Sequence, residues 1–127
     1  KWKALSSDSI TKGYFSDEIE QLTTNQEKGA LEWLVSLKEI NANRERIEDQ
    51  LIEVTYKDLT SKSEAVLARI CAHFTIDLDG DWLQESCSAL DEARKNEGDT
   101  LLLPPKMCSA FNEFQDQYGF EGHAVEK

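Results

Sequence analysis

The residue types that most often carry catalysis are sparse in this sequence. Its two histidines are His73 and His123, and His73 adjoins an apolar stripe at helical spacing. A histidine in that setting is more often structural than a general base. The sequence shows no glycine-rich phosphate loop, no serine nucleophile elbow and no cluster of metal ligands at a recognised spacing. Taken alone, the residue types therefore indicate neither a catalytic centre nor a metal site.

Three aspartates at alternate positions invite a calcium interpretation: Asp77, Asp79 and Asp81. An EF-hand loop places its glycine after the third acid and a glutamate at its twelfth position. Here Gly80 precedes the third acid, and the twelfth position is Ser88. The pattern favours Asp79 or Asp81 as the cap of a helix over about 81–94. Its predicted inward face consists of Trp82, Leu83, Cys87 and Leu90.

The three cysteines are widely spaced and form no C-x-x-C pair: Cys71, Cys87 and Cys108. Cys71 and Cys87 lie on or beside predicted apolar stripes. Buried free thiols are therefore favoured over a disulfide or a metal site. Free thiols favour a reducing, intracellular compartment.

A strand, a turn and a helix are predicted between Leu51 and Phe74. Ile52, Val54 and Tyr56 have the alternation of a half-buried strand, which we place at about 52–56. Ser61 and Glu64 have the spacing of a capping box. The residues after them form an apolar stripe at helical spacing: Val66, Leu67, Ile70, Cys71 and Phe74. A single strand must pair, so we expect its partner in another polypeptide or near Leu101 to Leu103.

Further helices are predicted on either side of this segment. Thr24 and Glu27 form a second capping box that opens a helix over about 25–49, and a short helix is expected near 17–22. A last helix starts at Pro104-Pro105 and ends at Gly119. Residues 1–15 lack a clear period and are interpreted as an N-terminal arm, and residues 121–127 as a disordered tail.

The chain is acidic: 25 Asp and Glu oppose 14 Lys and Arg, for a formal net charge of −11. Binding to nucleic acid or to an anionic membrane surface needs clustered basic residues and is therefore disfavoured. No apolar run is long enough to span a membrane, so we expect a soluble protein. The 127 residues predict a mainly α single domain or half-domain with one short strand.

Several segments resemble the sulfotransferases that use 3′-phosphoadenosine 5′-phosphosulfate. Tyr56-Lys57-Asp58-Leu59, followed by the apolar helix, is similar to a family strand that ends in Tyr-Glu-Asp-Leu before a helix. The run LPPKMCSAFNEFQDQYGF is similar to the family's last helix. The residues Arg94-Lys95-Asn96-Glu97-Gly98-Asp99 resemble its late Arg-Lys-Gly-x-x-Gly-Asp loop. The similarity covers about residues 25 to 120.

The resemblance implies the C-terminal half of an α/β, P-loop-type fold. It implies that Tyr56, Arg94 and Lys95 contact the nucleotide donor, and that the donor's sulfuryl group passes to a hydroxyl or amine. Guanidinium and ammonium groups suit phosphate oxygens. The family's phosphate loop and catalytic base lie in its N-terminal half and are absent here. Activity would therefore require that half, upstream or on a partner polypeptide.

Two other interpretations remain open. One is a non-catalytic, acidic helical subunit or adaptor that acts through protein–protein interaction. The other is an unrelated helical bundle, in which the similarity is coincidental and Ile52 to Tyr56 are helical rather than extended.

Overall fold

The computed structural model describes residues 1–90 and 100–127. The chain forms two compact units where the sequence suggests a single domain or half-domain. Unit 1 comprises Lys1–Asn43 with Gly98–Lys127, and unit 2 comprises Arg44–Glu97. The described residues are mainly helical, as predicted, with one short two-stranded parallel sheet.

Unit 1 begins with a helix, not with the irregular arm expected for residues 1–15. Helix α1 spans Trp2–Thr11, and Gly13 ends the turn that follows it with φ +72°. The Ser9 hydroxyl is buried and donates a hydrogen bond to the carbonyl oxygen of Tyr14, which fixes the turn. Trp2 and Leu5 pack against the core of unit 1 and anchor the helix to it.

Helix α2 spans Asn25–Ile47, close to the predicted 25–49, and a 3-10 turn at Glu48–Gln50 follows it. A second 3-10 turn, Ile19–Gln21, stands where the short helix was expected. The capping box at the start of α2 is confirmed. The Glu27 amide donates to Thr24 Oγ1 at 3.2 Å, and the Thr24 amide donates to Glu27 Oε2 at 2.8 Å. The buried residues of α2 are Glu27, Ala30, Leu31, Leu34 and Val35.

Helix α6 spans Pro105–Tyr118 and is closed at both ends. At its start, the buried Glu18 carboxylate accepts the amides of Lys106 at 2.8 Å and Met107 at 3.0 Å. Two otherwise unpaired helix donors are thereby satisfied from a distant part of the chain. At its end, Gly119 is left-handed with φ +66°, and the Phe120 amide donates to the carbonyl oxygen of Gln115. This is the C-terminal glycine cap that the sequence predicts.

The last residues are not the disordered tail expected for 121–127. Strand β1, Leu102–Leu103, pairs in parallel with β2, Val125–Glu126, and α6 forms the crossover between them. Ala124 is buried, and its backbone exchanges hydrogen bonds of 2.8 and 3.1 Å with the Asn112 side chain. Contacts with partners far away in the sequence therefore hold this segment in place.

Unit 2 contains α3, Tyr56–Ser61, and α4, Ser63–His73, and the strand predicted at about 52–56 is not formed. Thr55 is extended because it caps α3, and its hydroxyl accepts the Asp58 amide at 3.0 Å. Arg44 donates hydrogen bonds to both carboxylate oxygens of Glu53. Arg69 donates to the backbone carbonyl oxygen of Glu53 at 2.7 Å. Arg69 therefore binds the backbone carbonyl of Glu53, a group that a neighbouring strand would otherwise bind.

The capping box predicted at Ser61 and Glu64 is also absent. The Ser61 hydroxyl donates to the carbonyl oxygen of Lys57, and α4 starts without a side-chain cap. The apolar stripe of α4 is only partly correct, because Val66 and Cys71 are buried whereas Phe74 is 49% exposed.

Helix α5 spans Gly80–Ala89, and Asp79 caps it as predicted by accepting the Trp82 amide at 2.7 Å. The predicted inward position of Trp82 is wrong, since its side chain is 45% exposed. The end of the helix predicted over 81–94 falls partly outside the described residues. Arg94 and Lys95 lie there too.

Candidate functional site

Of the three predicted donor-binding residues, only Tyr56 lies within the described ranges 1–90 and 100–127. Tyr56 is the first residue of α3, and its side chain is 60% exposed. The resemblance expected it at the end of a strand, where the backbone would hold its ring against a nucleotide. Arg94 and Lys95 lie outside the described residues, so their role stays a prediction.

Unit 1 contains a groove that the sequence analysis did not predict. Its volume is about 460 Å³, and it is open to solvent along its length rather than enclosed. Its lining is largely apolar and comes from α2, from the chain before β1, from α6 and from the residue after its cap. The groove residues are Gln26, Gly29, Ala30, Trp33, Leu101, Phe111, Gln115 and Phe120.

Helical spacing explains how α2 contributes one wall. Gln26, Gly29, Ala30 and Trp33 are three or four residues apart, so they share a face of the helix. Gly29 and Ala30 are small, which leaves a depression beside the large Trp33 ring. A Cβ atom built on Gly29 would meet no other atom within 4 Å. The groove therefore exists partly because position 29 has no side chain.

Aromatic rings form the base and the opposite wall. The Trp33 ring lies 4.9 Å from that of Phe111, tilted by 50°, and 6.0 Å from the buried Phe114, edge to face. The Phe120 ring stacks on that of Tyr118, with 5.7 Å between the ring centroids, and Phe120 is 38% exposed. Such ring pairs add stabilisation beyond the area they bury, which makes the groove a preformed surface.

Two amide side chains are the polar groups of the groove. Gln26 lies on α2 and Gln115 on α6, on opposite sides of the groove lining. Each amide can both donate and accept hydrogen bonds. The lining carries no titratable side chain, so the groove can bind a ligand but offers no acid, base or thiol to it.

No protein-family model, no curated protein and no solved structure matches the chain.

A partly buried ion pair holds the start of α2, next to the groove. Lys127 donates to the Glu27 carboxylate and to the carbonyl oxygen of Gln21. Burial alone would raise the pKa of Glu27, but the hydrogen bonds from Lys127 and from the Thr24 and Thr23 amides outweigh it. The pKa of Glu27 is therefore lowered to about 2. The charged carboxylate thus ties the end of the chain to the helix that carries Gln26 and Gly29.

The thiols are free, as predicted: Cys71 and Cys108 are buried, and Cys87 is partly exposed. Burial raises the pKa of the Cys108 thiol, and Cys108 donates to the carbonyl oxygen of Ala124. A thiol that resists ionisation is a poor nucleophile. The arrangement indicates a packing role for Cys108.

Unit 2 contains a second depression, at the start of α4. It is lined by Ser61, Lys62, Ser63, Glu64, Ala65 and Ala68. The Lys62 ammonium there is paired with Asp58 at 3.1 Å. Within residues 1–90 and 100–127, no group of three or more His, Cys, Asp or Glu could hold a metal ion. Nor does that part of the chain contain a helix with the length and apolar character needed to cross a bilayer.

A sequence signal for the groove was present but was not read as one. In the sequence, Ala30, Trp33 and Leu37 share one face of α2, which Leu34 widens, and the most deeply buried residues of the helix are Leu31 and Leu34. The core face is therefore centred on Leu31 and Leu34, and the partly buried Trp33 lies at its edge. The small pair Gly29-Ala30 beside a tryptophan was the signal that could have located the groove.

Proposed function

We propose that this chain is a non-catalytic interaction module that binds an apolar-anchored segment of a partner polypeptide in the groove of unit 1. The observation that carries the proposal is the preformed, open, aromatic-lined groove itself. Its volume of about 460 Å³ lies within the range of about 300–1,000 Å³ typical of ligand sites.

The shape of the groove favours a polypeptide over a small molecule. Sites for small molecules bury most of the ligand's surface, which an open groove cannot do. A partner chain can instead insert one or two large side chains and cover the rest of the opening with its own backbone. Gln26 and Gln115 are suited to that arrangement, because their amides can hydrogen-bond to peptide groups of the inserted segment.

The exposed aromatic edges support the same proposal. Aromatic residues in well-packed pockets dominate the energetics of many protein–protein interfaces. Phe120 and the half-buried Trp33 and Phe111 provide such surface without needing to rearrange. A rigid, preformed site avoids part of the entropy cost of binding.

Gly29 allows a direct test. The Gly29→Leu variant places a side chain in the groove, and its Cβ would meet no other atom within 4 Å. Leucine also favours a helix more than glycine by roughly 0.8 kcal/mol. The matched control is Ala42→Leu, which adds the same side chain at an exposed position of α2 in unit 1, about 3.6 turns further on. Both variants are expected to fold.

The probe is a displayed library of random peptides, selected on the wild-type chain and counter-selected on Gly29→Leu. We expect peptides with one or two large apolar residues that bind wild type and Ala42→Leu equally. Binding to Gly29→Leu should be at least about tenfold weaker, the equivalent of about 1.4 kcal/mol. If no peptide distinguishes Gly29→Leu from Ala42→Leu, the groove is not the binding site.

A second candidate function is that of the resemblance, a sulfotransferase-like half-enzyme that acts only together with an N-terminal half. It is supported by the motif Tyr56-Lys57-Asp58-Leu59 and by the basic pair Arg94-Lys95. The test is calorimetry with adenosine 3′,5′-bisphosphate. Binding that disappears in Arg94→Ala/Lys95→Ala supports this function, and an absence of heat at millimolar nucleotide argues against nucleotide binding by this chain.

A further inference from the structure

Unit 2 exposes a run of large apolar side chains that the groove proposal does not use. Four such residues fall within nine positions, and each is about half exposed: Phe74, Ile76, Leu78 and Trp82. We call residues 74–82 the connector: it consists of the loop 74–79 between α4 and α5 and the first three residues of α5. Single exposed apolar residues are ordinary, but a cluster of this kind marks an interaction surface.

The connector is held at both ends. At its start, the Ile76 amide donates to the carbonyl oxygen of Cys71 at 2.8 Å, and the Thr75 amide donates to that of Ala72 at 3.3 Å. This is a Schellman cap with Thr75 in the left-handed position at φ +55°. At its end, the Asp79 carboxylate caps α5. The apolar side chains are therefore presented from a backbone with fixed ends.

Carboxylates alternate with these apolar side chains. Asp77, Asp79 and Asp81 are all exposed, and Glu85 follows them on α5. From residue 70 to residue 90 the sequence contains no Lys or Arg. The connector therefore combines apolar contact area with a local negative charge that no basic neighbour in that stretch offsets.

From this combination we infer that the connector is a second docking surface, and that it binds a basic amphipathic segment of a partner protein. Lysine or arginine side chains of the partner pair with the aspartates, and its apolar residues cover Ile76, Leu78 and Trp82. Charge complementarity of this kind gives specificity and a faster association rate. A nucleic acid or an anionic membrane would be repelled, and a second copy would bring like charges together.

The test uses three short synthetic peptides with a fluorescent label. One is an amphipathic helix of Leu and Lys, one has Glu at every Lys position, and one has the first peptide's composition in an order without an apolar face. Anisotropy at low and high salt gives the dissociation constants, since exposed ion pairs are screened by salt. We expect tight binding of the first peptide only, weakening as salt is added.

Two double variants separate the charges from the apolar residues. Asp77→Asn/Asp81→Asn removes two charges and leaves the helix cap Asp79 in place, and Ile76→Ser/Leu78→Ser removes the apolar side chains. The matched control is Glu45→Gln/Asp49→Asn, which changes the net charge equally at exposed positions of the same unit. The charge variant should weaken binding about fivefold, the apolar variant about tenfold and the control less than twofold.

Three results would overturn this inference. The first is equal weakening by Asp77→Asn/Asp81→Asn and by the control, which would make the attraction a property of the whole acidic chain. The second is no difference between the amphipathic and the reordered peptide. The third is a dimer in sedimentation that dissociates in Ile76→Ser/Leu78→Ser, since a second copy would then cover the connector. Gly29→Leu should leave peptide binding to the connector unchanged. The proposal for the connector and the proposal for the groove are therefore tested independently.

Discussion

Replacing Glu27 with glutamine should remove a pH-dependent part of the stability of unit 1. The Glu27 carboxylate accepts the Thr23 amide at 2.7 Å and the Thr24 amide at 2.8 Å, and Lys127 donates to its other oxygen. Glutamine has nearly the same size, and its single oxygen can accept only part of this set. The substitution therefore removes the charge with little change in packing.

The size of the effect follows from the pKa of Glu27. It is lowered from an ordinary value of 4.5 to about 2, which corresponds to about 3 kcal/mol of stability. Because the pKa is lower in the folded state, the unfolded state binds more protons between these two values. The contribution is present in full above about pH 4.5 and is lost as the pH falls towards about 2.

Urea denaturation at pH 7, 4.5 and 3 measures this contribution. The background is Trp82→Phe, which leaves Trp2 and Trp33 as the fluorescent reporters, both in unit 1. At pH 7, Glu27→Gln should lower the free energy of unfolding by up to about 3 kcal/mol. The difference between wild type and variant should shrink at pH 3. The control is Glu20→Gln, an exposed position with the same change in charge.

Two results would refute this reasoning. One is a difference between Glu27→Gln and wild type that stays constant from pH 7 to pH 3, which would indicate a packing effect instead of a charge effect. The other is an equal decrease in the free energy of unfolding in Glu20→Gln, which would show that the effect comes from the net charge of the chain.

Three further substitutions test local features of the fold by urea denaturation. Glu18→Gln removes the charged cap of α6 and should cost about 2 kcal/mol, and an unchanged stability would show that the cap is not formed in solution. Gly119→Ala places a Cβ at a left-handed position and should cost about 1 kcal/mol. Thr75 in unit 2 is also left-handed, a conformation that is unfavourable for a β-branched residue. Thr75→Gly should therefore stabilise unit 2 by up to about 1 kcal/mol, and a loss of stability would contradict this.

The parts of the fold that could be predicted are those whose signals lie close together in the sequence. The Thr24–Glu27 capping box located the start of α2, and Pro105 and Gly119 bounded α6. Each of these signals is a hydrogen-bond or backbone requirement of one helix end. Neighbouring residues can therefore meet it without help from the rest of the chain.

The strand predicted at 52–56 shows why alternation can mislead. An N-cap residue has extended backbone angles, so a run that leads into a cap looks like a short strand. Thr55 fills this role for α3, and Arg69 binds the backbone carbonyl of Glu53 where a neighbouring strand would have done so. The alternation of Ile52, Val54 and Tyr56 could not reveal those partners.

Long-range pairs account for most of what was missed. The Lys127–Glu27 pair and the Glu18 cap of α6 join residues about 90 to 100 positions apart. The pairing of β1 with β2 depends on α6 returning the chain to the same edge. The groove combines residues from α2 and α6, so its lining could not be read from either helix alone. A single sequence carries little information on such pairs.

The measurement that tests the central proposal most directly is a nuclear magnetic resonance titration of the isotope-labelled chain with a library-selected peptide. The proposal predicts shifts of the Trp33 indole N–H and of the side-chain amides of Gln26 and Gln115, in wild type and Ala42→Leu but not in Gly29→Leu. Peptide binding that leaves these three signals unchanged, or that persists in Gly29→Leu, would contradict the assignment of the groove as the binding site.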